Sequence, residues 1–384
     1  MTPILVINSG SSSLKFGLFI EQGGDEHALV RGNADAIGSE SGKLEIVDEQ
    51  GKTIHQETRH FQSQKEALSY IAKTLVALRY EAPKAIGHRI VHGGPHLVTH
   101  QLINDKVLAT FEQSVHFAPL HIPPALDLIR HTEMLYPQVP QFACFDTAFH
   151  QTMPEAAYRF AIPEKYFEQG VRRYGFHGLS YASIVHALGK ELPRRTVVAH
   201  LGSGASLAAI ADGKSMDTSM GMTPTGGIPM GTRTGDLDPG VPLFLMRSEK
   251  LDADAIESLL NHKAGLMALG GTNDMRKLQA DSAGGSHSAQ IAIEIFCRSI
   301  AKTVASFASV LGGLDLFVFS GGIGEHSAEV RANVCGRLGF LGIALDAAQN
   351  QASAAVISTS SVLVRIVPSE EEKQIARHCR SLLR

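Results

Sequence analysis

Residues 3–20, PILVINSGSSSLKFGLFI, decide the fold class of this 384-residue chain. The apolar run PILVIN is followed by the polar turn SGSSS and by a second run, LKFGLFI, with apolar residues on both sides of Lys15. Short apolar runs bounded by glycine and serine predict two strands joined by a turn. The start of the chain therefore predicts a β-hairpin with a glycine-rich and hydroxyl-rich tip.

The same pattern returns at residues 196–211, where TVVAH leads through LGSGAS into LAAIA. A third glycine-rich turn, SGGIGE at 320–325, follows the apolar run LDLFVF and precedes the helical pattern AEVRANVCGRL. This recurrence indicates an internal duplication. We therefore predict an α/β fold of two related domains around a central cleft. The first domain is predicted at 1–150, completed by a C-terminal helix at 370–384, and the second at 151–369.

Composition and charge favour small-molecule chemistry. The formal net charge is -3 and charged residues of both signs are interspersed, so we expect neither a nucleic acid nor a membrane as partner. The apolar run at the N-terminus is too short for a signal peptide or a membrane span, which predicts a cytoplasmic protein. The four cysteines form no CxxC pair and are expected to be reduced; they are Cys144, Cys297, Cys335 and Cys379.

Three further segments have helical patterns. Apolar residues recur at helical spacing between Gln64 and Glu81, and the stretch from Ala289 to Leu311 is apolar around most of its circumference, which predicts a buried helix. Near the C-terminus, Ser369 precedes three glutamates, the pattern of a capping box that begins a helix.

The turns NSGSSSLK and HLGSGAS bring backbone N–H groups and hydroxyls close together, as a polyphosphate requires. The P-loop pattern is absent, because position 208 ahead of Gly213 and Lys214 is alanine, and the protein-kinase signatures are absent too. Hairpin tips of two duplicated domains that hold phosphates are typical of the actin, Hsp70 and sugar-kinase fold.

Five further segments place charged and imidazole side chains among glycine, proline and aromatic residues. Such surroundings indicate a shaped pocket, since solvated surface charges usually have polar neighbours. The segments are HRIVHGG at 88–94, FAPLH at 117–121, FDTAFH at 145–150, RRYGFHG at 172–178 and MGTRTGDLDPG at 230–240.

In this order and with these gaps, the strings resemble the acetate kinase family over essentially the whole chain. The match runs from LVINSGSSSLKF through GHRIVHGG, FAPLHIPPAL, FDTAFHQTMP, RRYGFHG, HLGSGAS, MGTRTGDLDPG and FSGGIGE to PSEEE. The resemblance implies two duplicated actin-like (ribonuclease H-like) domains and reversible phosphoryl transfer from ATP to acetate, giving acetyl phosphate and ADP by direct in-line attack. It also implies Mg²⁺, with Mn²⁺ as a substitute, and a homodimer.

The residues that the family uses suit this reaction. A carboxylate nucleophile is ionised at neutral pH, so no general base is needed and the difficulty lies in bringing two anions together. The resemblance implies that Arg89 binds the substrate carboxylate and that His177 and Arg233 contact equatorial oxygens of the transferred group. It implies a supporting role for His121, and that Asp146 orients Arg233 or a metal-bound water.

The other implied contacts are of three kinds. The metal positions are Asn8 and Glu371. The pocket for the acyl methyl group is formed by Val91, Leu120, Phe176 and Pro224. The nucleotide contacts are Lys15, His200, Leu201, Gly202, Ser203, Gly204, Asp274, Met275, Arg276, Gly321, Gly322, Ile323, Gly324 and Glu325. One extra methylene changes hydrophobic binding by about 1 to 3 kcal/mol, so propionate is expected to be a poorer substrate.

The chain departs from the family pattern at a few positions. Ser203 stands where the family usually has asparagine, which bears on nucleotide affinity and on the choice of phosphoryl donor. Thr234 replaces a serine and keeps its hydroxyl. Glu370 stands where an asparagine normally precedes Glu371, which weakens the assignment of Glu371 to the metal.

Several alternatives stay open. His88 and His92 could form a transition-metal pair, although zinc sites usually show further ligands. Glu371 could serve only to cap its helix, and Asp236 and Asp238 have a plain interpretation as turn residues. The enzyme could prefer propionate, or the chain could be an actin-like or Hsp70-like nucleotide switch without acyl kinase activity.

Overall fold

The computed structural model describes residues 2–10 and 12–384. By its internal contacts the chain divides into two compact units. Unit 1 comprises the described residues up to Ala148 together with Glu370–Arg384, and unit 2 comprises Phe149–Ser369. Each unit contains a mixed β-sheet and several helices, so the predicted α/β class is confirmed.

Unit 1 is built on one eight-stranded sheet. Its strands are β1 (Ile4–Ser9), β2 (Leu14–Gln22), β3 (Asp25–Asp35), β4 (Lys43–Asp48), β5 (Thr53–Thr58), β6 (Ala85–Ile90), β7 (Gln101–Leu102) and β8 (Gln141–Phe145). Their order is β5-β4-β3-β2-β1-β6-β8-β7, and β1, β6 and β8 are parallel. Its helices are α1 (Gln64–Ala77), α2 (Asp105–Gln113), α3 (Ile122–Leu135) and the C-terminal helix α15 (Glu371–Leu383).

The predicted N-terminal hairpin is confirmed. Strands β1 and β2 pair antiparallel, with Ile4 opposite Phe19 and Asn8 opposite Lys15. Ser11 of the predicted turn lies outside the described residues. Residues 4–7 of β1 are all buried, as expected for an apolar run covered on both faces of the sheet.

Helix α1 begins at Gln64 as predicted, but the predicted end at Glu81 is wrong. The helix ends at Ala77 because Arg79 adopts a left-handed conformation with φ 63°. The N–H groups of Arg79 and Tyr80 donate to the carbonyls of Val76 and Leu75, which closes the helix in a Schellman turn. The apolar periodicity continues past this turn and therefore overstated the helix length.

The C-terminal helix α15 packs on the sheet of unit 1 and carries buried charges there. Arg380 donates from Nη2 to Glu26 at 2.9 Å, and Lys373 Nζ lies 2.8 Å from Asp25. Burial would raise the pKa of Asp25, but the hydrogen bond from Lys373 and other cationic contacts lower it. The helix approaches closely at Gly87, where a Cβ would lie 2.6 Å from Cys379 Sγ.

The predicted capping box at the start of this helix is wrong. The helix begins at Glu371, and Glu370 is the N-cap without a side-chain cap bond. The hydroxyl of Ser369 is buried and has no hydrogen-bond partner among the described residues. The chain therefore enters the helix one residue later than a serine cap requires, and the Glu370 side chain lies 3.6 Å from Arg31 and 3.8 Å from Lys373.

Unit 2 has a five-stranded sheet. Its strands are β9 (Arg195–Leu201), β10 (Ala205–Ala211), β11 (Lys214–Thr218), β12 (Leu316–Ser320) and β13 (Leu363–Ile366). They follow the order β11-β10-β9-β12-β13, with antiparallel pairs up to β9 and parallel pairs after it. The strands β3-β2-β1-β6-β8 of unit 1 have the same order and directions, which confirms the predicted duplication.

Unit 2 also contains a series of helices. They are α4 (Glu155–Tyr158), α5 (Glu164–Glu168), α6 (Gly178–Leu188), α7 (Gly240–Ser248), α8 (Ala253–His262), α9 (Gly265–Gly270), α10 (Met275–Ala283), α11 (His287–Leu311), α12 (Gly321–His326), α13 (Ala328–Gly336) and α14 (Ala347–Gln351). The predicted buried helix is α11, which begins two residues before Ala289 and ends at Leu311 as expected.

The predicted turn at 320–325 is mostly helical. Strand β12 ends at Ser320, and α12 begins immediately after it. Gly321 has φ 76°, and its N–H donates to the Glu325 side chain at 2.8 Å, which closes the first helical turn. The prediction of a turn is wrong because glycine content alone does not separate a turn from a short helix.

Two further predictions concern the cysteines and membrane-spanning helices. All four cysteines are free and buried. Within residues 2–10 and 12–384, no helix has the length and apolar character needed to cross a membrane.

Candidate active site

Three strand ends meet at one edge of the unit 1 sheet. Asn8 lies near the end of β1, Arg89 near the end of β6, and Asp146 directly after β8. Because these strands are parallel, their carboxyl ends lie at the same edge, where α/β folds usually place functional groups. The structure thus brings together three of the residues that the sequence predicted.

Arg89 and Asp146 form a buried ion pair. Nε of Arg89 donates to the two Asp146 oxygens at 3.2 and 3.1 Å, and Nη2 donates to Oδ2 at 2.5 Å. Burial raises the pKa of the Asp146 carboxyl; the Arg89 guanidinium opposes this shift and the Glu371 carboxylate adds to it. Burial also opposes the charge on Arg89, but Asp146 and Glu371 raise its pKa. The guanidinium is therefore held, charged, in one orientation.

Asn8 connects this pair to the first turn of α15. Its Nδ2 donates to Glu372 Oε1 at 2.7 Å and to Glu371 Oε2 at 3.2 Å, and Arg89 Nη1 donates to its Oδ1 at 3.4 Å. Glu371 lies in the first turn of α15 and also accepts a hydrogen bond from Asn8, so the choice between a metal ligand and a helix-end role stays open. Sequence reasoning missed Glu372, because three consecutive glutamates do not reveal which of them face a neighbouring strand.

These oxygen-bearing side chains fit a magnesium ion. Mg²⁺ keeps several waters and takes one or two carboxylates together with phosphate oxygens. In the part of the chain that the structure describes, no group of three or more His, Cys, Asp or Glu is arranged to hold a metal. Asn8, Glu371 and Glu372 offer oxygen atoms to such an ion, and the assignment of Asn8 and Glu371 to the metal stays a prediction.

Four other predicted residues of unit 1 lie at the ends of elements. Lys15 on β2 stands directly opposite Asn8, so the two side chains project from the same face of the sheet. Val91 follows β6, Leu120 is half exposed, and His121 is the N-cap of α3. Lys15 therefore lies beside Asn8 on one face of the sheet, while the roles of Val91, Leu120 and His121 stay predictions.

His88 and His92 have separate hydrogen-bond partners. His88 Nε2 shares a hydrogen bond of 2.7 Å with the buried Gln141 side chain, whereas His92 Nδ1 accepts from the Gly94 N–H at 2.8 Å. Burial lowers the pKa of His88 to about 4, so the ring is neutral at physiological pH. These bonds explain both imidazoles as structural residues, and they give a transition-metal pair no support.

In unit 2, His177 starts helix α6 from a left-handed conformation with φ 57°. Its Nδ1 shares a hydrogen bond of 2.8 Å with Ser206 Oγ, which lies 2.5 Å from the Tyr181 hydroxyl. Burial raises the pKa of Tyr181, so its hydroxyl stays protonated. The three side chains form a continuous chain of hydrogen bonds that fixes the orientation of the His177 ring.

The hairpin tip between β9 and β10 brings further predicted residues to His177. A Cβ added at Gly204 would lie 3.3 Å from His177 Nε2 and 3.5 Å from Arg233 Nη1, so both donors approach the same point of the backbone. The rings of His177 and His200 have centroids 4.6 Å apart. His177, His200, Gly204 and Arg233 therefore form one group.

Backbone hydrogen bonds fix the loops around this group. Arg233 Nη1 donates to the Pro224 carbonyl at 3.2 Å, and the Gly231 N–H donates to the Ser203 carbonyl at 3.2 Å. The Ser203 backbone thus anchors the loop before Arg233, whereas the effect of its side chain on the nucleotide stays a prediction.

Arg173 is a residue that sequence reasoning did not single out. Its Nη1 donates to the carbonyls of Thr218, Ser219 and Met220 at 2.8, 3.1 and 3.1 Å. It thereby fixes the chain that follows β11. The motif RRYGFHG contained Arg173, but only the tertiary structure shows its partners. In the same motif, Phe176 is 1% exposed, so its predicted role in an acyl pocket stays a prediction.

The predicted nucleotide segments are arranged in two ways. Gly321 packs against the end of β9, since a Cβ there would lie 2.7 Å from the Leu201 carbonyl oxygen. Asp274 instead accepts hydrogen bonds from the backbone and side chain of Arg276, at 2.9 to 3.1 Å. The 201–204 and 321–325 segments are thus neighbours, and the Asp274–Arg276 pair lies on the surface.

The two groups of residues suit the binding of anions. In unit 1 a fixed guanidinium lies beside carboxylate and amide oxygens, and in unit 2 an imidazole and a guanidinium converge on a glycine backbone. Preorganised donors of this kind stabilise charge that develops during phosphoryl transfer.

Comparison with known proteins gives a consistent result. The Acetokinase family model matches residues 3–377. The chain is 42% identical over 398 residues to an acetate kinase from Coprothermobacter proteolyticus, covering 99% of both chains. It is 39% identical over 396 residues to an acetate kinase from Carboxydothermus hydrogenoformans, again covering 99% of both.

A solved structure has the same architecture. A propionate kinase from Francisella tularensis matches with a TM-score of 0.93 at 37% identity, covering 100% of both chains. Whole-length agreement of this kind confirms the predicted actin-like fold.

Proposed function

The chain belongs to the acetokinase family of phosphotransferases with a carboxyl acceptor, and from this premise we propose that it transfers the terminal phosphoryl group of ATP reversibly to acetate. The products are acetyl phosphate and ADP. The observation that carries the proposal is the Arg89 guanidinium, held charged by Asp146 at the edge where the parallel strands of unit 1 end. A fixed planar cation of this kind binds a carboxylate.

In the proposed reaction, an acetate oxygen attacks the γ-phosphorus in line, and the bond to the β–γ bridging oxygen breaks. No proton is transferred, since the carboxylate is already ionised and ADP leaves as an anion. Arg89 orients the acetate, while His177 Nε2–H and Arg233 donate to the equatorial oxygens. His121 supports this set.

We propose that Asn8 and Glu371, with Glu372 beside them, hold Mg²⁺ together with phosphate oxygens and water. When bound, the ion neutralises charge on the β- and γ-phosphates. Lys15, the 200–204 hairpin tip, the 274–276 segment and the 321–325 segment contact the nucleotide in this proposal. ATP supply favours the cytoplasm as the compartment.

The activity is tested by trapping the acyl phosphate as a hydroxamate from ATP, Mg²⁺ and acetate, with propionate and butyrate in parallel. We expect activity to fall with each added methylene, by about 10-fold or more per step. Loss of product on addition of EDTA and its return with Mg²⁺ would support the metal. ATP hydrolysis without hydroxamate would instead identify a nucleotide switch, and a higher kcat/KM for propionate would correct the substrate.

The two proposed arginine roles are separable. Arg89→Leu should raise KM for acetate, whereas Arg233→Leu should mainly lower kcat, because it removes a contact made in the transition state. Arg195→Leu is a matched control, since Arg195 pairs with Asp315 on the surface of unit 2. Equal effects of Arg89→Leu and Arg233→Leu on both constants would refute the assignment.

We also propose that the chain forms a homodimer, supported by helix α7. None of its residues is buried, and Val241, Leu243, Phe244 and Met246 are all exposed. Asp236 and Asp238 precede the helix and Arg247 lies at its end, so an antiparallel pair of α7 helices would match opposite charges across a twofold axis. Light scattering should show a dimer that Phe244→Asp converts to a monomer.

A further inference from the structure

Arg331 on helix α13 is the largest side chain that is fully buried among the described residues. Its five N–H groups each have one acceptor, which is the full donor capacity of a guanidinium. Nε donates to Asn350 Oδ1 at 2.7 Å, and Nη2 donates to the Asn350 carbonyl at 2.7 Å and to Ser353 Oγ at 3.0 Å. Nη1 donates to the carbonyls of Gly324 and Glu325, both at 2.9 Å.

All five acceptors are neutral oxygens. Burial of a cation with neutral partners is costly, and burial lowers the pKa of Arg331. A well-packed apolar residue of similar volume would fill the same space at less cost. We therefore expect the guanidinium to have a role beyond filling space in the core. The positions of its acceptors indicate what that role is.

Two of those acceptors belong to helix α12. This helix is fixed at its start by the close approach of Gly321 to the Leu201 backbone and by the bond from the Gly321 N–H to Glu325. Arg331 fixes its other end through Gly324 and Glu325. On the far side, the Asn350 side chain donates to the Ala328 carbonyl at 2.9 Å and so holds the guanidinium's own partner in place.

We infer that Arg331 is a positioning residue for the nucleotide: its buried guanidinium sets the geometry of the 321–325 backbone that contacts ATP and ADP. The inference rests on the proposed function, which assigns that backbone to the nucleotide. Arg331 touches no substrate and acts through Gly324 and Glu325. Its removal should therefore affect the nucleotide and leave the acetate site unchanged.

The test is Arg331→Met, which keeps much of the length and volume and removes all five donors. We expect KM for ATP to rise about 10-fold while KM for acetate stays within about twofold, since a displaced contact segment weakens one substrate only. Guanidinium ions at millimolar concentration should partly restore KM for ATP. Amide hydrogen exchange should accelerate in residues 321–327.

Arg337→Met is the matched control. Arg337 follows the same helix, but its guanidinium donates to Glu294 at 2.5 Å and to Asn333 at 3.0 Å instead of to the α12 carbonyls, so KM for ATP should not change. If Arg331→Met does not fold, Ser353→Ala removes one of the five bonds and should raise KM for ATP about twofold to threefold.

Two outcomes overturn the inference. The first is a folded Arg331→Met enzyme whose KM for ATP equals that of the wild type. If Arg331→Met does not fold, the same result in a folded Ser353→Ala enzyme overturns the inference. The other is an equal rise in both KM values. Calorimetric titration of the wild type with MgADP separates failure of this inference from failure of the proposed function. A wild-type protein that binds no ADP would refute the assignment of the nucleotide site itself.

Discussion

In unit 1 the parallel strands β1, β6 and β8 end around Asn8, Arg89 and Asp146, whereas in unit 2 the corresponding strands β9 and β12 end at Leu201 and Ser320. The five-strand arrangement is the same in both. The groups there differ: unit 1 has an ion pair joined to glutamates through an amide, and unit 2 has imidazoles, hydroxyls and glycine backbone with the Arg233 guanidinium beside them.

This difference distinguishes the contribution of the fold, which is the position of residues, from the contribution of the side chains, which is their chemistry. Strand order places a set of positions at one edge, and the side chains there decide whether the edge carries buried charge or neutral hydrogen bonds. The stability of a buried charge depends on its partner and on pH, because removal of the partner leaves an unpaired ion. A hydrogen-bonded chain such as Tyr181–Ser206–His177 depends instead on the orientation of each donor.

The largest effect is expected from Asp146→Asn, which removes the negative partner of Arg89 and keeps the side-chain shape. We expect kcat/KM for acetate to fall about 100-fold or more, because the guanidinium is no longer held in one orientation. The hydroxamate assay measures the rate and circular dichroism verifies folding. Asp217→Asn is the control in unit 2, where the carboxylate accepts the Thr218 N–H at 2.7 Å, and it should keep most of the activity. Wild-type kcat/KM in Asp146→Asn would contradict the importance of the ion pair.

The second effect concerns pH and stability. Each unit buries a neutral histidine, His88 in unit 1 and His150 in unit 2, and burial lowers the pKa of each to about 4. An unfolded histidine has a pKa near 6.5, so between pH 6.5 and 4 the unfolded chain binds more protons and stability falls as the pH falls. From pH 6.5 to 5 one such residue should account for about 2 kcal/mol.

Urea unfolding at pH 7.5 and 5.0 measures this loss. In unit 1 the raised pKa of Asp146 acts in the opposite direction, since the folded carboxyl binds its proton at higher pH than the unfolded one. His150→Gln is therefore the sharper variant, and it should flatten the pH dependence more clearly than His88→Gln. An unchanged slope in His150→Gln would show that this histidine is not held neutral.

The third effect tests the hydrogen-bonded chain of unit 2. Ser206→Ala removes the partner of His177 Nδ1 and should lower kcat about 10-fold with little change in KM for acetate, since an unoriented imidazole donates poorly. Ser215→Ala is matched to it, because Ser215 Oγ shares a hydrogen bond of 2.8 Å with the structural His150. The control should lose stability and keep kcat. The same kcat loss in both variants would indicate a general packing effect.

The smallest effect contrasts one glycine from each unit. Gly204→Ala places a methyl group 3.3 Å from His177 Nε2 and should lower kcat a few-fold without destabilising the protein. Gly87→Ala places it 2.6 Å from Cys379 Sγ and Ile375 Cγ2, so it should lower the free energy of unfolding by about 1 to 3 kcal/mol. Initial rates measure kcat and thermal melts measure stability for both variants. A loss of stability in Gly204→Ala together with a loss of kcat alone in Gly87→Ala would refute the comparison.

Local sequence patterns predicted the hairpins and helix α11 well, because apolar runs, turn residues and periodicity act over short distances. They failed where the same residue types are compatible with more than one local conformation. Helix α1 ends early in a Schellman turn, and α15 begins at Glu371 without the expected serine cap. The glycines at 321–325 form a helix closed by Glu325.

Family resemblance pointed to Asn8, Arg89, Asp146 and Glu371 before any contact was known, and these residues do lie together. It did not reveal Glu372, Arg173 or Arg331, whose partners are far away in the chain or are backbone carbonyls. A carbonyl acceptor leaves no trace in the amino-acid sequence, since every residue has one.

The sequence by itself determined the α/β class, the duplicated strand pattern and the family, because these depend on the order of apolar runs, turns and motifs along the chain. Only the tertiary structure decided that Arg89 pairs with Asp146, that Ser206 and Tyr181 orient His177, and that Arg331 holds the carbonyls of α12. Those contacts join residues that are remote in sequence or join a side chain to backbone, and their geometry exists only once the strands and helices have packed.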